Sequence, residues 1–145
     1  MSLKSLIDKT LSKQPLVKPS RTKKRNAQPE AIEQERVIKW ARDNENNYPF
    51  LWLLHSSLNG VKLSKNQAGR AKTQGMLSGV PDLFLPVPKN GYHGLFIEMK
   101  SEKGRLSTNQ TFFLSKVELL GYKIAVCYSA NEAIKTIENY YFVPI

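Results

Sequence analysis

The feature that most constrains this chain is a pair of short apolar runs with charge at their outer ends. Leu83-Phe84-Leu85 follows Pro81-Asp82, and Leu95-Phe96-Ile97 leads straight into Glu98-Met99-Lys100. Pro86, Pro88 and Lys89-Asn90-Gly91 lie between the two runs, and proline with a short Asn-Gly turn marks a reversal of hairpin length. The reading is two antiparallel strands, 82–87 and 95–100. In such a hairpin the start of one strand neighbours the end of the next, so Asp82, Glu98 and Lys100 should meet at one sheet edge. Glu98 and Lys100 are two apart and share a face of the sheet.

The flanking segments fit helices and one further strand. Pro29 suits a first helical turn, Glu30 and Glu33 suit its positive end, and Ile32, Val37, Ile38 and Ala41 give an apolar side, so a helix is expected over 29–44. Phe50 to His55 reads as a strand, Asn59-Gly60 as a turn, and Ser64 to Gln74 as a polar helix. Ser107 with Gln110 forms a capping box for a helix of about 108–120, with Gly121 at its end. Tyr122 to Tyr128 reads as a strand, and Ser129 with Glu132 as a second capping box opening a helix of about 130–140. This order argues an α/β fold, a mixed sheet of about four strands flanked by helices. Trp40, Trp52, Phe112 and Phe113 are expected in the core. His55 is expected in a hydrogen-bonded or loop role, because no second histidine stands at metal-ligand spacing.

Charge is uneven along the 145 residues, whose formal net charge is +10. Residues 1–29 carry eight Lys/Arg against one acid, Asp8, a net of +7. Residues 1–28 therefore read as a basic tail, with Leu3, Leu6, Ile7 and Leu11 on one face of a short amphipathic helix and Pro15 and Pro19 in a linker. The folded domain is expected over 29–145. A basic tail on a globular domain points to a polyanion, nucleic acid before membrane. The single cysteine, Cys127, excludes an intramolecular disulfide and a cysteine zinc cluster, and suits a reducing compartment. No apolar run approaches the roughly 20 residues of a membrane span. The acid-poor start, rich in Ser and Lys, is compatible with a mitochondrial transit peptide, although Lys outnumbers Arg there.

Two carboxylates converging beside main-chain carbonyls make a hard, oxygen-rich site suited to Mg²⁺ or Mn²⁺. A lysine beside them can position water or neutralise charge on a phosphate, but its ordinary pKa of about 10.4 makes it a poor base. The alternative for Glu98 and Lys100 is a solvated surface pair worth about 0–1 kcal/mol.

Pro81-Asp82 followed by a hairpin and Glu98-Met99-Lys100 resembles the PD-(D/E)XK nuclease signature. The surroundings, Gly79-Val80-Pro81-Asp82-Leu83, Phe96 to Lys100, Gly104-Arg105-Leu106-Ser107 with Gln110, and Leu120-Gly121-Tyr122, resemble the VRR-NUC branch over about residues 28–142. The resemblance implies a restriction-endonuclease-like fold and a Mg²⁺-dependent endonuclease, with Mn²⁺ able to substitute. Asp82, Glu98 and an early-helix glutamate would be metal ligands, with the Met99 carbonyl as an extra one. Glu33 matches the early motif best, with Glu30 and Glu35 as alternatives. Lys100 would assist the water and phosphate, and Gln110 would hold the water or Lys100. Met99 replaces the commoner Leu or Val, and its side chain should face the core. Lys62, Lys65, Arg70, Lys72, Lys103 and Arg105 are candidate backbone contacts. The family also implies branched DNA substrates such as Holliday junctions or flaps, a homodimer, and a cytoplasmic setting in bacteria or phage-infected cells. Competing readings are a catalytically inactive DNA-binding module, a sequence-specific restriction-type enzyme and an RNA nuclease.

Overall fold

The computed structural model describes residues 29–57 and 59–144. The proposed tail helix and linker lie outside the described residues. Among the described residues, four α-helices, α1 (Pro29–Asn44), α2 (Lys65–Thr73), α3 (Thr108–Leu119) and α4 (Ala130–Phe142), accompany four strands, β1 (His55–Ser56), β2 (Leu83–Leu85), β3 (Leu95–Met99) and β4 (Lys123–Cys127). The sheet order is β1-β2-β3-β4. The first three strands run antiparallel, and β4 lies parallel to β3 after the α3 crossover.

One face of the sheet buries Leu83, Leu85, Leu95, Ile97 and Met99 against Val37, Trp40 and Ala41 of α1 and Ile134 and Ile137 of α4. The spacing of 37, 40 and 41 puts all three on one helical side. On the opposite face Phe84 and Phe96 stack with ring centroids 4.3 Å apart, and Phe113 of α3 meets Phe96 edge-on. The β2–β3 connection closes with Asn90 at φ 52° and Gly91 at φ 81°, the two left-handed positions of a type I′ turn. Asn90 Nδ2 donates to the Tyr140 and Val143 carbonyls, and Tyr140 Oη donates to the Val87 carbonyl at 2.6 Å, so the turn is fastened to the end of α4.

The strand expected over Phe50–His55 is mostly a 3₁₀ helix, Pro49–Leu53, with only His55 and Ser56 in the sheet. Pro49 takes the first helical position, where its missing N–H is harmless. Arg42 of α1 donates to the carbonyls of Leu51, Trp52 and Leu54 at 3.1, 3.1 and 2.7 Å, satisfying the acceptors at the end of the turn. The helical winding buries Phe50, Leu51 and Leu54 and turns Trp52 outward, 66% exposed. Phe112 is also exposed, beneath the Lys116 ammonium, because Phe113, Leu114 and Val117 form the inward side of α3. Trp52 and Phe112 are therefore not core residues. At Ser129 only half a capping box forms: its hydroxyl accepts from Glu132 N, while the Glu132 carboxylate accepts from Tyr128 N.

Candidate active site

Asp82 sits just before β2, and one oxygen, Oδ2, accepts a hydrogen bond from Met99 N at 2.8 Å. That bond continues the β2–β3 pairing with a side chain where the ladder ends. The loop leading to Asp82 is clasped from two sides. Asn59 Nδ2 donates to the Leu77 and Val80 carbonyls, at 3.1 and 3.0 Å. Gly79, at φ +86°, packs so closely on α3 that a Cβ there would stand 2.4 Å from the Asn109 carbonyl oxygen.

Glu98 is 1% exposed. It lies on the same face as Phe96, and its Oε1 receives both Lys100 Nζ at 2.8 Å and Gln110 Nε2 at 2.6 Å. Gln110 thereby does two things. Its Oε1 accepts from Ser107 N in the α3 capping box while its Nε2 holds the buried glutamate. Among the described residues, Glu98 Oε2 is buried with no hydrogen-bond partner of ordinary geometry. Native proteins rarely leave such an atom without a partner.

Glu30, Asp82, Glu98, Lys100, Ser107 and Gln110 line a cleft of about 280 Å³, joined by Asn59, Gly60 and Ser78 to Val80. Glu33 does not join them. It pairs with Arg36 at 3.1 Å and accepts from Ala130 N at 2.6 Å, neutralising an unpaired amide at the start of α4. Glu33 is three residues, about 4.5 Å, farther along the α1 axis, and so meets α4 rather than the cleft. Glu30 reaches it instead, with Oε1 accepting from Ser101 N at 2.9 Å. Glu35 does not line the cleft. Lys62, Lys65, Arg70, Lys72, Lys103 and Arg105 are all exposed. Met99 packs into the core, as expected. His55 Nδ1 donates to the Leu53 carbonyl, 2.9 Å away. Asn59 was legible only as a turn residue; its hold on two carbonyls about 20 positions away leaves no local sequence signal.

This assignment separates two glutamates by experiment. Glu33→Ala should cost about 1–2 kcal/mol in unfolding free energy by unpartnering Ala130 N and Arg36, with cleavage retained. Glu30→Gln should lower cleavage at least about tenfold, as loss of a site interaction does, with little change in stability. Thermal melts and cleavage rates of both variants check it; reversed outcomes would restore Glu33 to the site.

The donors fit a hard divalent cation. Glu98, with its unpartnered Oε2, and Asp82 both line one cleft and offer carboxylate oxygens. Among the described residues no three His, Cys, Asp or Glu side chains form a ready-made cage. Mg²⁺ suits that arrangement, because it keeps several waters and binds through one or two carboxylates.

Burial pushes the Asp82 carboxyl above the ordinary carboxylate range, with Glu30 adding to the rise and the Met99 amide and Lys100 opposing it. Burial likewise raises Glu98, aided by the Asp82 charge, against Lys100 and, weakly, the Asp82 main-chain amide. For Lys100 burial pulls downward, but the Glu98 hydrogen bond and the charges of Glu98, Glu30 and Asp82 outweigh it, and the ammonium is held above its ordinary value. Lys100 is therefore a fixed cation at neutral pH and not a general base.

The sign of the linkage follows. A carboxyl raised on folding binds more protons in the native state, so its ionisation removes stability as pH rises from the unfolded value through the raised one. Without metal, Glu98→Gln should gain stability relative to wild type as pH rises above the ordinary glutamate range. A difference in thermal midpoint that stays flat with pH would contradict the raised Glu98.

The α/β sheet with paired acids and a lysine at one hairpin edge defines a nuclease-type domain. The VRR-NUC domain model matches residues 7–131, and the chain belongs to that family of nucleases. A solved structure described as a VRR_NUC domain protein superposes with a TM-score of 0.68 at 23% identity, covering 82% of this chain and 93% of that one. At that identity the likeness speaks to the fold. Comparison with curated proteins returned no match.

Proposed function

We propose that the protein is a divalent-cation-dependent endonuclease that hydrolyses phosphodiester bonds in branched DNA. The observation that carries this reading is Glu98 Oε2, a buried carboxylate oxygen without a partner in a cleft shared with Asp82. A buried carboxylate oxygen left open is a place for a cation. Asp82, Glu98 and the Met99 carbonyl would hold the ion, with Glu30 at the cleft wall. When bound, Mg²⁺ or Mn²⁺ polarises the phosphoryl group and lowers the pKa of water. Gln110 and Lys100 hold Glu98 by Oε1 and leave Oε2 for the ion. The Lys100 ammonium offsets negative charge growing on the phosphate, an interaction stronger in the transition state than before it.

Lys62, Lys65, Arg70, Lys72, Lys103 and Arg105, all exposed, would bind phosphates. Such contacts give affinity without sequence preference. That suits recognition of branch shape. Two symmetric cuts in a four-way junction need two sites related by a two-fold axis, hence a homodimer. No helix among the described residues is long and apolar enough to cross a membrane. A cytoplasmic setting, in bacteria or phage-infected cells, belongs to the same proposal.

The test is a panel of labelled duplex, flap, four-way-junction and RNA substrates with Mg²⁺, Mn²⁺ or EDTA. Cleavage of branched DNA that EDTA abolishes is expected. Equal cutting of every substrate would overturn the selectivity, and cutting in EDTA would overturn the metal requirement. Binding with no cleavage under any condition would leave the inactive-module reading.

A further inference from the structure

Between Asn46 and Pro81 the chain has no acidic residue, and it carries Lys62, Lys65, Arg70 and Lys72. This stretch includes α2, none of whose residues is buried. A capping box of Ser64 and Gln67 starts the helix, so its form does not depend on core packing. Its neighbours Val61, Leu63 and Leu77 are 52%, 38% and 58% exposed. Val61, Leu63, Ala71 and Met76 line a groove of about 470 Å³, with Arg70 and Gln74 also on its wall. That volume is in the range of small-ligand sites, about 300–1,000 Å³.

The groove and the acidic cleft are lined by neighbouring stretches of the chain. Gly60 lines the cleft and Val61 the groove; on the returning strand of the loop, Met76 lines the groove and Ser78 the cleft. A ligand lying across the two would meet carboxylates and Lys100 at one end and apolar carbons beneath a guanidinium at the other. Nucleic acid has that alternation: a charged phosphate joined to a flat apolar base. In continuous duplex the flat faces are stacked and cannot reach a groove. They become available where strands part, and an already unpaired base costs least to extrude.

We propose that the groove of Val61, Leu63, Ala71 and Met76 receives an unpaired DNA base next to the phosphate held in the acidic cleft, with Arg70 on the intervening backbone. This rests on the reading of the cleft as a phosphate site, and it identifies the substrate feature selected: unpaired nucleotides at the cut. Gln74 supplies an amide that can donate to and accept from a base edge.

The experiment uses the full chain in EDTA, so that binding is read without cleavage. Flap and perfect-duplex DNA carry 2-aminopurine at successive positions, and its fluorescence reports unstacking. A rise is expected at a position beside the branch and none in continuous duplex. The double variant Val61→Ser, Leu63→Ser should abolish that rise and weaken flap binding about tenfold, the scale of losing one base contact, while duplex binding falls little. Both residues are exposed, and an unchanged thermal midpoint confirms that the variant folds. No rise at any position, or equal loss on flap and duplex, overturns the proposal. A changed sedimentation coefficient of the double variant also overturns it, by assigning the groove to a second copy. A separate assay in Mg²⁺ distinguishes the two readings: a fluorescence rise without cleavage sinks the catalytic one, and cleavage without a rise sinks this one.

Discussion

Glu98→Gln should abolish cleavage and leave the protein at least as stable as wild type in metal-free neutral buffer. The rate loss should be on the order of 10²–10³ or more, the usual cost of removing a group that acts on transition-state charge. Stability should not suffer, because a neutral amide can still accept from Lys100 and Gln110 through its oxygen while shedding a buried charge. Lys100→Ala is expected to be equally inactive but less stable, by about 3 kcal/mol, since it strands the Glu98 carboxylate with Gln110 alone. Chemical denaturation and cleavage assays of the two variants settle the ordering. Were Glu98→Gln markedly unstable, or Lys100→Ala as stable as wild type, the account of a site kept at a cost to the fold would be wrong.

Three glycine substitutions should fall in a fixed order. Gly69→Ala, in the middle of α2 with nothing within 4 Å of the added carbon, should stabilise by about 0.5–1 kcal/mol. Gly75→Ala meets open space too, but at φ +101° it pays the left-handed strain of about 1–2 kcal/mol. Gly79→Ala adds to the same strain a carbon 2.4 Å from the Asn109 carbonyl oxygen. It must push the loop away from α3, costing more than about 2 kcal/mol. Because Asp82 is three residues on and Gln110 adjoins Asn109, cleavage should fall with it. A Gly79→Ala protein with full activity would show that this close approach does not position the site.

The hairpin was legible because its signals are local: two short apolar runs, Pro81 before the first and Pro86 and Pro88 after it, Asn-Gly at the reversal and a charge at the outer end of each run. The capping box at Ser107 marked α3 for the same reason, and the structure has both bonds of it. Pro49–Leu53 was misread because a short apolar run has no period of its own, and what decides its form is Arg42, about ten residues earlier, bonding to its carbonyls. The second capping box was half right, since Glu132 has Tyr128 N as a competing donor. Glu30 and Glu33 could not be separated by sequence: both lie on one side of α1, and only the placement of α4 against that helix shows which of them is already engaged. The lysines and arginines proposed to contact DNA lie on the surface, as most such residues do, so their exposure does not discriminate.

The bond from Met99 N to Asp82 Oδ2 makes the alignment of two strands a condition for having an active site at all. A chain in which β2 slipped by one residue against β3 would turn every β2 side chain to the opposite face and carry Asp82 away from Glu98. Such a molecule would be a poorly packed protein and also a harmless one. A nuclease that cut while misassembled would be a hazard, and here correct threading of the hairpin acts as a safety catch on the chemistry.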